Sequence, residues 1–238
     1  QNYTNNERPV AFGTDPQDTA ENEVRETAYL KVMPKTSVLL EARQKNITYD
    51  HSYNALTAQG AGPTMDSDET KVYVGAEWEA TAKTTGAIRL GHLDKDFVEP
   101  NGVVSHPDSY SIPSWESDIT WRPRTYSNFV LSTARGFVDS ANTGSVIDET
   151  RLSLTWNHEW SSVIGSKVYA LRLQDDYKSP AINEREDTVT KLGAGTYYKL
   201  NKRAKLYADY VFTDRDSNEN RFDYNRNLFI IGAKVDFN

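Results

Sequence analysis

The chain of 238 residues contains no cysteine, which excludes disulfide staples and thiolate metal sites. Long apolar runs are missing too. No segment approaches the roughly 20 apolar residues that a membrane-spanning helix needs. A basic start followed by an apolar stretch, the pattern of a secretory signal, is not seen, so the sequence reads as a mature form or as a piece of a longer protein. An excess of basic residues is also lacking. Lys and Arg number 27 against 34 Asp and Glu, for a net charge of -7, so nothing global marks a nucleic-acid partner. The acidic excess sits largely in segments such as Thr64 to Glu69 and Asp214 to Asn220, which read as solvated loops.

What is present is alternation. Helical spacing of apolar residues is absent from nearly every window, whereas period-two patterning, the signature of strands, fills most of them. The C-terminal segment is the clearest: Phe229, Ile231, Ala233, Val235 and Phe237 share one face, with Leu228, Ile230, Gly232, Lys234 and Asp236 on the other. Leu192, Ala194, Thr196 and Tyr198 alternate with Lys191, Gly193, Gly195, Tyr197 and Lys199. Tyr169, Leu171 and Leu173 are read as an apolar face against Arg172, Gln174 and Asp176. The same reading, carried upstream, gives eleven strands. Arg135 interrupts the apolar face of Phe129 to Phe137, and both faces are mixed between Ile88 and Leu93.

The connections alternate between short and long. Short ones lie at 33–36, 83–86, 122–125, 161–165 and 201–203. Longer polar ones lie near 50–67, 99–113, 139–147, 179–187 and 214–222. Short periplasmic turns opposite long extracellular loops is the arrangement of outer-membrane barrels. Aromatic residues (Trp78, Trp121, Trp156, Trp160, Tyr198, Tyr210, Phe212 and Phe237) fall near the ends of apolar faces, where interfacial girdles belong. A soluble β-sandwich also alternates, but it does not explain the long-short connections.

The expected fold is therefore all-β: an antiparallel, up-and-down transmembrane β-barrel over residues 1–238, in a Gram-negative outer membrane. In hydrocarbon an open sheet edge leaves backbone groups unpaired, so the sheet must close. Eleven is odd, whereas single-chain bacterial barrels have even strand numbers. Either residues 1–22 hold a weak first strand and the barrel has twelve, or they are loop and the chain is the C-terminal part of a larger barrel.

The ending has a further character. The segment Asp223-Tyr224-Asn225-Arg226-Asn227, then Gly232 and Phe237, preceded by Leu206 to Phe212 and Arg215-Asp216-Ser217, resembles the closing hairpin of outer-membrane β-barrel porins found with exopolysaccharide biosynthesis genes. The resemblance covers about the last 50 residues and extends to the remainder only in style. It implies an outer-membrane location and a role in export or assembly of a secreted polysaccharide. The alternating ending also resembles the signal read by the outer-membrane assembly machinery, although Phe237 is followed by Asn238.

In a barrel the polar face lines the lumen, where residues tune selectivity. The candidates are Arg25, Lys31, Glu41, Arg43, Lys71, Glu77, Glu79, Arg89, Glu116, Asp118, Arg122, Arg151, Glu159, Arg172, Lys191, Lys199, Lys205 and Asp209. Both signs occur, so they fit either a conduit for hydrophilic solutes or a lumen filled by ion pairs in a non-conducting scaffold for surface partners. Tyr29, Tyr73, Tyr197 and Tyr207 share that face. A membrane-embedded hydrolase is a lesser alternative. His158 sits by parity on the lipid face beside Trp156 and Trp160, and no serine shares its strand face. Catalytic residues and cofactors are not expected, and the histidines lack metal-ligand spacing. Asp214, Asp216 and Asn218 have the opening spacing of a calcium loop, but Glu219 stands where that loop needs glycine. Expected partners are outer-membrane lipid and lipopolysaccharide, the assembly machinery, and polysaccharide or other export components.

Overall fold

A computed structural model describes residues 2–3, 19–49, 66–81, 83–98, 109–140, 145–178 and 185–235. They form one antiparallel sheet of 12 strands, each paired with its sequence neighbours. The strands are β1 (Asn2–Tyr3), β2 (Thr19–Met33), β3 (Thr36–Tyr49), β4 (Ser67–Thr81), β5 (Thr84–Phe97), β6 (Ser109–Arg124), β7 (Ser127–Ser140), β8 (Ser145–Glu159), β9 (Ile164–Lys178), β10 (Arg185–Lys199), β11 (Ala204–Ser217) and β12 (Tyr224–Val235). The eleven expected strands are β2 to β12. β1 is two residues long and pairs Asn2 with Ala20 and Tyr3 with Thr19. No helix among the described residues is long and apolar enough to cross a membrane.

Strands β2 to β11 have 14 to 16 residues. At about 3.3 Å per residue a 14-residue strand is about 46 Å long, and a tilt of about 45° still spans about 33 Å, enough for the hydrocarbon core. The short connections are held by side chains that imitate backbone turns. Ser161 Oγ accepts the Val163 and Ile164 N–H groups, and Asn201 Oδ1 accepts those of Arg203 and Ala204.

The sheet is curled. Tyr49 on β3 donates to Asp139 on β7 at 2.9 Å, and Tyr110 on β6 reaches the Lys178 carbonyl on β9 at 3.3 Å. Four strand spacings would hold β3 and β7 about 19 Å apart in a flat sheet. The loop end of β7 and β8 therefore folds in over the concave face of β3 to β6, bringing inward Asp139 and Val146, which share the strand face of Leu131 and Leu154.

Polarity is inverted relative to a soluble protein. Buried residues include Glu41, Arg43, Glu69, Lys95 and Asp187, while Leu40, Val74, Leu90, Phe229 and Ile231 are exposed, the last at 88%. The apolar side chains run across neighbouring strands in register: Leu40 opposes Val74, Val74 opposes Leu90, and Leu90 opposes Trp115. A band of this kind marks a surface meant for lipid, not water. A sandwich would bury it, so the sandwich alternative is excluded by which face is covered.

Candidate functional site

The concave face carries three groups of side chains, arranged from the long-loop end to the short-turn end. At the loop end Ile47, Tyr49, Phe97 and Val146 form a buried cluster, with Tyr110 and Phe137 packed against it. Beside it the fully buried Lys95 ammonium lies 3.2 Å from Glu69 and 2.9 Å from Asp139. Pairing between β6 and β7 stops at Trp115–Arg135, which lets the loop end of β7 turn toward β3 and β5. Further round the sheet, Asp187 is clasped by Arg185 and Arg215. Phe222, in a 3-10 turn before β12, sits 3.5 Å from the Arg185 guanidinium.

At mid-height a network joins β2, β3, β5 and β6. Glu41 receives Arg43 at 2.5 Å, Arg89 at 3.1 Å and Arg25 at 3.4 Å. Arg43 also grips Glu116 with both terminal nitrogens at 2.7 Å, the bidentate geometry in which arginine is strongest. Tyr73 hydrogen-bonds Ser114 at 2.7 Å alongside. The strand period explains the convergence, because residues two apart repeat on one face of each strand.

The turn end of β8 to β12 is different. A basin of about 720 Å³ is lined by Asn128, Asn157, Glu159, Lys167, Tyr197, Lys205, Tyr207 and Asp209, among others. Tyrosines lie flat on glycines of the neighbouring strand: Tyr169 over Gly193, Tyr197 over Gly165 and Tyr207 over Gly232. A Cβ at those glycines would stand 2.2 to 2.4 Å from ring atoms. Glycine is required there so that the ring can cover a neighbour's backbone and leave the space above it open.

Of the residues singled out in the sequence, Arg25, Glu41, Arg43, Arg89 and Glu116 are brought together in the mid-height network. Lys71 lies 3.8 Å from Glu69, Arg151 pairs with Glu149 at 2.7 Å, and Asp118 accepts the Ser132 hydroxyl at 2.5 Å. Glu159, Lys205 and Asp209 line the turn-end basin, and Lys199 leans over the Tyr197 ring. Lys191 pairs in register with Leu171 and Thr213, on the Gly193 and Gly195 face of β10. Lys31 and Glu77 are exposed near the turns. Glu79 and Arg122 are also exposed, each inside a register shift one pair before the turn.

Arg172 requires a correction. Trp156 pairs with Val168, Leu154 with Ala170 and Leu152 with Arg172, so Arg172 projects from the outer face and Tyr169, Leu171 and Leu173 turn inward. The larger apolar residues of β9 line the lumen, while the lipid face is built from smaller ones. Arg135, the interruption in β7, pairs with Asp148 at 2.7 Å and lies 5.7 Å from the Trp115 ring.

Phe229, Ile231, Ala233 and Val235 are exposed on β12, with the Phe229 ring 4.7 Å from that of Tyr210 and tilted 37° to it. Phe237, His51 and His106 lie outside the described residues. His158 is packed among Tyr126, Trp156 and Trp160. Asp214 and Asp216 stand on extended strand β11 and oppose Thr190 and Thr188. Residues two apart on a strand are separated by about 6.6 Å, not wrapped around a cation. Asn218 instead binds the Glu186 amide at 3.0 Å. Among the described residues no group of three acidic, histidine or cysteine side chains could hold a metal.

Sequence reasoning missed Tyr49, Glu69, Lys95, Asp139, Lys167, Arg185, Asp187 and Arg215. Period two was sufficient to find some of them: Lys95 follows Arg89 on the same face of β5, and Lys167 precedes Tyr169 on β9. The Arg185–Asp187–Arg215 clasp carried no signal, because it depends on the register between β10 and β11.

No curated protein matches the sequence. Among solved structures, the outer membrane channel DcaP of Acinetobacter baumannii is similar with a TM-score of 0.52 at 13% identity, over 90% of this chain and 62% of that one. The FrpB iron transporter from Neisseria meningitidis is similar with a TM-score of 0.52 at 10% identity, over 83% of this chain and 36% of that one. At these identities the likeness concerns the fold, and the chain spans less than two thirds of either protein. A family model covers nearly the whole chain, and with the lipid-type outer face it places the protein in the bacterial outer membrane. The chain belongs to the family described as "Putative beta-barrel porin 2", matched over residues 2–237.

Proposed function

We propose that the chain forms the wall of an outer-membrane channel for hydrophilic solutes. The observation that carries this reading is the concave face: it bears charged and polar side chains from the loop end to the turn end, where it opens as a basin of about 720 Å³. Membership of a porin family supports it, and DcaP, a fold relative, is itself described as a channel. Planar-bilayer recording of the refolded protein tests it. Ohmic single-channel conductance is the expected result. A folded protein that inserts and stays silent overturns the reading.

A second reading is favoured by the loop end. There Tyr49, Lys95, Glu69 and Asp139 are bonded to one another across the concave face beside an apolar cluster, which suits a closed scaffold whose loops hold surface partners. The silent outcome selects that reading. The finer link to exopolysaccharide secretion rests on the closing hairpin. It predicts that deleting the gene lowers surface polysaccharide while leaving other barrels in place. Lipid and lipopolysaccharide cover the apolar face in this proposal, and the assembly machinery reads β12. No catalysis is proposed: Ser127 and Ser166 oppose His158 in register, but their hydroxyls accept the Trp156 and Trp160 indole N–H groups, and His158 packs among aromatic rings.

A further inference from the structure

We infer that the turn-end basin binds acidic sugars, with Lys167 and Lys205 holding the carboxylate and Tyr197 and Tyr207 lining the ring; this rests on the channel reading and names its solute class.

The contrast between the two ends of the concave face carries the argument. Toward the loops and at mid-height, cations are consumed by carboxylates: Arg43, Arg89, Lys95, Arg185 and Arg215 are all ion-paired. At the turn end the lysines are arranged otherwise. Lys167 stands 5.1 Å from the Tyr169 ring, Lys199 stands 5.4 Å from the Tyr197 ring, and Lys205 stands 5.8 Å from the same ring. None of these three has a carboxylate within ion-pair distance among the described residues. A lysine held over an aromatic face is not neutralised by a carboxylate partner and remains available to an anion.

The remaining lining decides which anion. Asp209 and Glu159 belong to the basin with Asn128 and Asn157. Those carboxylates would repel a simple polyanion, yet they accept hydrogen bonds from hydroxyl groups. A neutral sugar would use the acids, the amides and the tyrosines but leave Lys167 and Lys205 without purpose. A carboxylated sugar uses all of them: the carboxylate on lysine, the hydroxyls on Asp209 and the asparagines, and the C–H face on tyrosine. The volume, about 720 Å³, falls within the range of about 300–1,000 Å³ typical of small-ligand sites. Gly165 and Gly232 keep the space open, because the tyrosine rings lie down against them.

The test is calorimetric titration of the refolded, detergent-solubilised protein with trigalacturonate, maltotriose or citrate, in the wild type and in Lys167→Gln/Lys205→Gln. Trigalacturonate is expected to bind more tightly than either other probe. The double variant is expected to lose about five- to tenfold in affinity, since each exposed charge pair contributes up to about 1 kcal/mol. Its fold is checked by the heat-dependent gel mobility typical of barrels. Equal binding of maltotriose overturns the role of the lysines, equal binding of citrate overturns the sugar class, and no binding of trigalacturonate overturns the site. Binding without bilayer conductance sinks the channel reading and keeps the site; conductance without binding does the reverse.

Discussion

Replacing Arg43 with methionine removes the cation that ties β3 to β6. Arg43 is 6% exposed and lies between Glu41 at 2.5 Å and both oxygens of Glu116 at 2.7 Å. Methionine fills much of the stem, so the loss is mainly electrostatic. Removing one partner from a buried pair costs about 3–5 kcal/mol. Two features lower that figure here. Glu41 keeps Arg89 at 3.1 Å and Arg25 at 3.4 Å, and Glu116, 29% exposed, can recruit water from the lumen. The expected cost is therefore near the lower bound, about 3 kcal/mol. Glu116→Gln keeps the shape and leaves Arg43 on Glu41, so it should cost about 1.5–2 kcal/mol, toward the lower end for a charge-assisted hydrogen bond. In the double variant both ends of the interaction are gone. The cycle should return a coupling of about 1.5–3 kcal/mol. Urea unfolding from lipid vesicles, followed by tryptophan fluorescence, supplies the four stabilities. A coupling below about 0.5 kcal/mol would refute the reasoning, because it would mean that water screens the pair completely.

Two further outcomes follow from the strand faces. Gly193→Val places a branched side chain where a Cβ alone would sit 2.2 Å from the Tyr169 ring; the expected cost is about 1–3 kcal/mol by overpacking, and Tyr169→Ala in the same chain should restore most of the urea midpoint. Arg172→Leu is expected to raise the urea midpoint and leave single-channel selectivity unchanged, since this arginine faces lipid, where charge is unfavourable by up to about 4 kcal/mol at mid-depth; a shift in ion selectivity would place it in the lumen instead.

Much of the wall was legible because a membrane barrel writes itself at period two. The alternation of Val72, Val74, Ala76 and Trp78 with Lys71, Tyr73, Gly75 and Glu77 survives in the register, with Val74 between Leu40 and Leu90. β9 misled for a physical reason. Lipid asks only that its side be apolar, and Val168 and Ala170 satisfy it, while the lumen tolerates Leu171 and Leu173. Ranking faces by size then inverts the strand. The charged lining was readable only as a set of inward positions. Which residues meet depends on curvature: Tyr49 and Asp139 are 90 positions apart, and no local pattern announces their contact. The turn-end basin was half visible. Tyr197 and Tyr207 fall inward by parity, but their glycine beds depend on pairing between strands, and Lys167 is signalled only by preceding Tyr169 on the same face.

The absence of native cysteine makes the central claim, that alternate residues of one strand face water and lipid, open to direct measurement. Single cysteines placed at positions 191, 192, 194, 196, 197 and 198 on β10, which spare Gly193 and Gly195, can be challenged in proteoliposomes with a membrane-impermeant maleimide. The same positions, spin-labelled, can be probed with a lipid-soluble relaxing agent. The account predicts strict alternation, with maleimide reaching positions 191 and 197 and the lipid-soluble agent reaching 192, 194, 196 and 198. Uniform labelling along the strand, or the opposite alternation, would contradict it.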